Sequence, residues 1–157
     1  NVEIAVGLTA ASFVDPGALF GEVGGIEGTE NFAVDEYSSL GYTFRGDSGP
    51  INTLFNEGIE AKGTSTDLLL HATDSDLPPS AFVSTSKSFE VAQLFNPDQV
   101  FVIRPSEGID INAVLGAASP NPEEFEIAIP EWVAPQDIRG VTLSNEGYSL
   151  INWNFLP

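Results

Sequence analysis

Glu123-Glu124-Phe125-Glu126-Ile127-Ala128-Ile129-Pro130 alternates strictly between polar or small and apolar residues, and reads as a strand. Phe125, Ile127 and Ile129 fall on one face, and Glu124, Glu126 and Ala128 on the other, the period of two that a half-buried strand requires. Just upstream, Ala117-Ala118-Ser119-Pro120-Asn121-Pro122 is a loop by composition. Before it, Ile111 to Leu115 predicts one helical turn closed by Gly116. Downstream, Ile138 to Leu143 and Ser149 to Phe155 read as closing strands.

Working back toward the start, Val100 to Ile103 is an apolar run of strand type. Asn96-Pro97 ends a helix whose apolar residues are Phe89, Val91, Ala92, Leu94 and Phe95, with Ser86 or Ser88 as its cap. Ala81 to Thr85 predicts the strand before it. Leu40-Gly41-Tyr42-Thr43-Phe44-Arg45 alternates as a half-buried strand, with Leu40, Tyr42 and Phe44 on one face and Thr43 and Arg45 on the other. Gly46 to Pro50 breaks it, Pro50 suits the first turn of a helix, and Ile51, Leu54 and Phe55 follow at helical spacing up to Gly58. A second short helix is expected over Asp67 to Ala72. Residues 1–38 hold no clean period and read as a helical or irregular lead-in, separate from a main domain over 39–157. No internal repeat is present. The predicted class is α+β with a mainly antiparallel sheet core.

Charge is the unusual bulk feature. The 157 residues carry 23 acidic and 5 basic side chains, a formal net charge of -18. Nucleic-acid backbones and anionic membranes are repelled at long range by such a chain, so neither is an expected partner. A hydrophobic fraction of 42% suffices for a packed core. No apolar run approaches the ~20 residues of a membrane span. No cysteine is present, so disulfides, zinc thiolates and a thiol nucleophile are excluded. No signal segment opens the sequence and no Met occurs in it, which fits a processed form or a domain cut from a larger protein.

Four features carry chemistry. Glu124 and Glu126, two apart on a strand, would project from one face with attachment points about 7 Å apart. One carboxylate of such a pair can stabilise a cationic transition state while the other deprotonates a nucleophile. On its own, Glu-x-Glu is also what a solvent-facing strand of an acidic chain carries. Arg45 offers a planar fork of donors suited to phosphate oxygens, or to an ordinary surface ion pair. Ser84-Thr85-Ser86 sits where a strand gives way to a helix, placed to orient a carboxylate or merely to cap. His71 is the sole histidine. The tripeptide Arg45-Gly46-Asp47 matches an integrin-binding motif, too short a match to carry that reading.

Taken in order, these signals resemble the R-S-E pattern of toxin-type mono-ADP-ribosyltransferases, the pertussis, cholera and heat-labile enterotoxin group. Tyr42-Thr43-Phe44-Arg45-Gly46-Asp47 is similar to the first motif of that family. Leu54 to Ile59 resembles its Phe-x-x-Gly helix end, Ser80-Ala81-Phe82-Val83-Ser84-Thr85-Ser86 its second motif, Ile111 to Gly116 its Asp/Asn-Val-Leu-Gly element, and Glu124 to Pro130 its third motif. The likeness covers about residues 40–145. Glu131-Trp132-Val133 departs from the Gly-Gly-Ile type of sequence that the toxins often carry, and their disulfide is absent.

The resemblance implies a core of two packed, mainly antiparallel β-sheets with flanking short helices, and a catalytic domain over 39–157. It implies NAD as substrate, no metal, and transfer of ADP-ribose to a target protein by a monomeric catalytic domain. Glu126 would hold a ribose hydroxyl and stabilise the ribosyl cation, Ser84 would orient Glu126, and Thr85 would support the nicotinamide pocket. Arg45, flanked by Gly46 and Asp47, would bind the pyrophosphate or the adenine-side ribose, and His71 a ribose hydroxyl. Ser86 completes the expected NAD-binding set. Glu124 would act on the incoming nucleophile, and Glu-x-Glu implies an arginine acceptor. A secreted or delivered toxin or effector, a domain of something larger, is the expected setting. An NAD glycohydrolase of the same fold and a non-catalytic acidic binding module remain open alternatives.

Overall fold

The computed structural model describes residues 40–74 and 78–157, together with Tyr37 and two strands nearer the start, Ile4–Ala5 (β1) and Ile26–Glu30 (β2). The other strands are Thr43–Gly46 (β3), Ile59–Glu60 (β4), Phe82–Ser86 (β5), Val100–Ile103 (β6), Ile109–Asp110 (β7), Glu126–Pro130 (β8), Trp132–Val133 (β9), Ile138–Leu143 (β10) and Tyr148–Asn152 (β11). The α-helices among the described residues are Ile51–Glu57 (α1), Leu68–Thr73 (α2), Phe89–Phe95 (α3) and Ile111–Leu115 (α4). A nine-stranded antiparallel sheet runs β1-β11-β10-β6-β3-β5-β8-β7, with β2 also on β11, and β4 pairs with β9 in a separate two-stranded sheet. The class is therefore the α+β arrangement of antiparallel sheets and short helices that the sequence predicts.

The apolar run of β6 shows how sequence becomes architecture. All four of its residues are buried. Their alternation sends Val100 and Val102 to one side, where Phe44 of β3 and Ala92 of α3 pack on them. It sends Phe101 and Ile103 to the other, against Phe55 of α1, Ile138, Val141 and Leu150. A strand covered on both faces needs no polar positions. A third cluster, Ile111, Ala72 and Ala128, packs α2 and α4 onto β8. This packing brings α2 over the polar residues of β5 and β8.

Helix ends follow the expected chemistry. Asp67 accepts from Leu70 N–H at 3.0 Å and caps α2. Ser88 rather than Ser86 caps α3, accepting from Val91 N–H at 3.2 Å. Gly58 ends α1 at φ +85°, a conformation that glycine adopts without a Cβ clash. Pro50 sits one position earlier than expected, as the N-cap.

Three expectations are corrected. The strand at Leu40–Arg45 begins only at Thr43 and runs on through Gly46; Leu40 and Gly41 lie in a turn, and Leu40 is 64% exposed. The final strand is Tyr148–Asn152 rather than Ser149–Phe155, because Asn152 turns the chain by accepting from Asn154 N–H. The lead-in, expected as helical or irregular, contributes the strands β1 and β2, where β11 offers a pairing edge, while Tyr37 is helical. The rest of what was expected for residues 1–38 lies outside the described residues.

The sheet is continuous but not uniform. β5 and β8 share a full ladder from Phe82↔Pro130 to Ser86↔Glu126. β3 and β6 pair over four residues. Between these halves, β3 and β5 share a single pair, Phe44↔Ser86. Gly46 stands beside this parting, and a methyl group there would meet the α3 backbone at Ala92 O and, at 2.6 Å, Asn96 N. Gly46→Ala is expected to cost about 1–3 kcal/mol by overpacking, read as a lowered Tm in thermal unfolding followed by circular dichroism.

Candidate active site

The parting of β3 from β5 opens a cleft of about 640 Å³, within the usual range for small-molecule sites. Arg45 spans it. Its Nη1–H donates to the Ser84 carbonyl of β5 at 2.8 Å, where a continuing ladder would have placed a backbone N–H. Its Nε–H donates to Asp47 Oδ2 at 2.9 Å. Asp47 is itself held, accepting from Gly49 N–H at 2.8 Å, while Gln99 Nε2 donates to the carbonyls of Asp47 and Gly49. A guanidinium has five N–H donors, so three are not committed to these two bonds. Gly46 shares the cleft lining with Arg45 and Asp47.

Across the cleft lies a buried polar cluster. His71 comes from α2, with its side chain fully buried. Its Nε2 lies 2.6 Å from Glu126 Oε2 and 3.0 Å from Ser84 Oγ. Its Nδ1 lies 2.6 Å from Ser80 Oγ. The register explains the meeting: Ser84 stands opposite Ala128 and Ser86 opposite Glu126, so Ser84 and Glu126 share one face of β5–β8 beneath α2. Glu126 is 9% exposed and opens on the cleft.

Thr85 points elsewhere: its hydroxyl donates to the Ile127 carbonyl at 2.8 Å, fastening β5 to β8. Ser86 donates to the Glu124 carbonyl at 2.6 Å and accepts from Ser88 N–H. Both line the cleft, yet their hydroxyls bond protein backbone.

Glu124 reaches the cleft by a route the sequence does not predict. It does not lie on the strand. Pro122–Glu124 forms a 3₁₀ turn, Phe125 takes the left-handed conformation at φ +48°, and β8 starts at Glu126. Ser86 and the Lys87 N–H, which donates to the Phe125 carbonyl, pin this turn. Phe125, expected beside Ile127 and Ile129, is 48% exposed instead. Glu124 and Glu126 still line one cleft. Partial burial, and then the charges of Glu126 and Glu123, push the Glu124 carboxyl above the usual carboxylate range.

Arg45, His71, Ser84, Glu124 and Glu126 all line this one cleft. Sequence reasoning missed Ser80, Gln99 and Asn121, whose Nδ2 donates to the Ala72 carbonyl at 3.0 Å and ties the Glu124 loop to α2. Ser80 had a faint signal as the serine that opens the Ser80–Ser86 stretch; the other two had none. Among the described residues, no group of three or more His, Cys, Asp or Glu is arranged to hold a metal. No helix among them is long and apolar enough to cross a membrane.

The antiparallel sheets, parted over a cleft lined by Arg45, Ser84 and Glu126, have the fold of solved ADP-ribosyltransferases. Solved structures of that fold are similar to this chain. A guanine-specific ADP-ribosyltransferase matches at TM-score 0.64 and 22% identity, over 74% of this chain and 79% of that one. Scabin toxin from Streptomyces scabies, in complex with NADH, matches at TM-score 0.65 and 20% identity, over 74% of this chain and 76% of that one. The Scabin-like family model matches residues 43–155, and the chain belongs to that family. No curated protein matches the chain.

The raised Glu124 pKa has a stability consequence. The folded state holds this proton more tightly than the unfolded chain, so folding stability falls as pH rises from the ordinary glutamate value of 4.5 through the raised value. Above that window an ionised Glu124 destabilises the fold. Glu124→Gln is expected to raise Tm at pH 7, with the gain vanishing below pH 4.5; an unchanged Tm difference across the two pH values would contradict it.

Proposed function

We propose that the chain cleaves NAD at the nicotinamide glycosidic bond and transfers ADP-ribose to the amino group of a guanine base. The observation that carries the first part is the shared hydrogen-bonded cluster of Glu126, His71 and Ser84, facing Arg45 across one cleft. Arg45 binds the pyrophosphate with the donors it does not spend on Ser84 and Asp47. Glu126 accepts from a hydroxyl of the nicotinamide ribose. The bond from C1′ to the nicotinamide nitrogen breaks, its electron pair leaves with nicotinamide, and a ribosyl oxocarbenium cation forms. A fixed carboxylate in a partly dry site stabilises that developing charge. Ser84 and His71 orient the carboxylate.

The acceptor follows from Glu124 and from the company the chain keeps. The guanidine fork that makes arginine a partner for a carboxylate also occurs in guanine, where the ring N–H and the exocyclic amino group lie side by side. Glu124 suits both. The similarity to a guanine-specific enzyme favours the base, and an arginine acceptor lacks such support. In transfer, the amino nitrogen attacks C1′ and its proton passes to the Glu124 carboxylate. Arginine remains the second reading, favoured by the net charge of -18, which draws basic protein targets. The motif order of the R-S-E toxins and the likeness to a toxin support secretion or delivery into another cell.

Three substitutions separate these roles. Glu126→Gln is expected to lower kcat for nicotinamide release by about 10²-fold or more. Arg45→Ala is expected to raise KM for NAD by about tenfold, the loss of a charge-assisted bond, with a smaller effect on kcat. Glu124→Gln keeps NAD cleavage and loses transfer. Mass spectrometry of reactions with radiolabelled NAD and either guanosine or an arginine ester identifies the acceptor. An adduct on arginine alone overturns the guanine reading, and free ADP-ribose alone makes the chain a glycohydrolase.

A further inference from the structure

Ser80 has no part in the reaction as described, yet its hydroxyl is held between the His71 ring and the Phe82 backbone. It is 2% exposed, which rules it out as a nucleophile for substrate. Its oxygen lies 2.6 Å from His71 Nδ1 and 3.2 Å from both the nitrogen and the carbonyl oxygen of Phe82. The Phe82 N–H donates to it. On the far side of the imidazole, Nε2 lies 2.6 Å from Glu126 Oε2. An ionised carboxylate only accepts, so Nε2 must carry a hydrogen to bond Glu126. The atom whose protonation is left to decide is Nδ1, and Ser80 faces that atom.

We infer that Ser80 is a positioning residue that holds His71 as the neutral Nε2–H tautomer. The Phe82 N–H donates to Ser80 Oγ, the Ser80 hydroxyl donates to His71 Nδ1, and His71 Nε2–H donates to Glu126. Each bond in this chain polarises the next toward the carboxylate. The other arrangement puts hydrogens on both ring nitrogens and turns the Ser80 hydroxyl to the Phe82 carbonyl. There Nδ1–H donates to Ser80 across the same 2.6 Å, and the Ser80 hydroxyl has only the 3.2 Å contact to the Phe82 carbonyl left to donate to. That arrangement also sets a positive charge against Glu126, offsetting the negative charge that a ribosyl cation needs. A neutral imidazole orients the carboxylate and leaves its charge unspent. Edge-on packing of the His71 ring against Phe82, 5.3 Å between centroids at 67°, holds its plane.

The catalytic consequence rests on the NAD reading above; the tautomer does not. The chain has one histidine, so nitrogen-15 labelling of histidine gives a single imidazole in a long-range proton–nitrogen spectrum. At neutral pH the wild type is expected to show a bare Nδ1 and a protonated Nε2. Ser80→Ala is expected to lose this single pattern and to lower kcat for nicotinamide release by about tenfold, with KM for NAD nearly unchanged. Ser80→Thr restores both through its hydroxyl. A wild-type spectrum with Nδ1 protonated overturns the assignment, whether or not Ser80→Ala folds. An unchanged spectrum and kcat in a folded Ser80→Ala overturns it as well. A wild type with the expected tautomer and no nicotinamide release supports the role of Ser80 in fixing His71 and instead refutes the NAD reading.

Discussion

The contact between Arg45 and the Ser84 carbonyl is where fold and site become one thing. A sheet this wide gains most by pairing every strand edge to edge, and β5–β8 and β3–β6 do so. β3 and β5 stop after Phe44↔Ser86. Past that pair, a buried carbonyl without a partner would cost free energy comparable to a lost hydrogen bond. The guanidinium takes the place of the missing ladder donor, so the two halves part without an orphaned carbonyl. The same side chain then stands at the cleft that the parting creates. Asp47, Gly49 and Gln99 hold it from behind.

The second half of the site is built on economy of charge. The chain carries five basic side chains against 23 acidic ones, and Glu126 is bonded to the His71 ring nitrogen that the Ser84 hydroxyl also meets. A carboxylate tied into a salt bridge with arginine would be well ordered, but much of its field would be cancelled. A bond to a neutral imidazole fixes the geometry of a carboxylate and leaves its charge available to the cleft. Glu124, pushed above the usual carboxylate range by burial and by Glu126, shows the cost of two carboxylates in one cleft.

Much of this was legible in the sequence where a feature is local. Val100–Ile103 reads as a strand because four consecutive apolar residues need two covered faces, and α1 and α3 supply them. α4 was legible from Ile111 to its stop at Gly116. Glu124–Phe125 was misread because its alternation imitates a strand. The turn there depends on the Ser86 hydroxyl and the Lys87 N–H, some forty residues away in the chain. The short strands β4, β7 and β9, of two residues each, are too brief to show a period. The order of Arg45, His71, Ser84 and Glu126 is readable in the sequence; the acceptor is not, because a carboxylate recognises a guanidine fork in either arginine or guanine. Ser80 stayed hidden since its role exists only where α2 meets β5.

NAD is expected to lie in the cleft between the parted halves, with Arg45 on its pyrophosphate and Glu126 on its nicotinamide ribose. A crystal structure of the chain with NADH, which resists cleavage, tests this most directly. Pyrophosphate oxygens are expected within hydrogen-bond reach of the Arg45 guanidinium, with a ribose hydroxyl on Glu126. A nucleotide bound elsewhere, or one in the cleft that touches neither side chain, would contradict it.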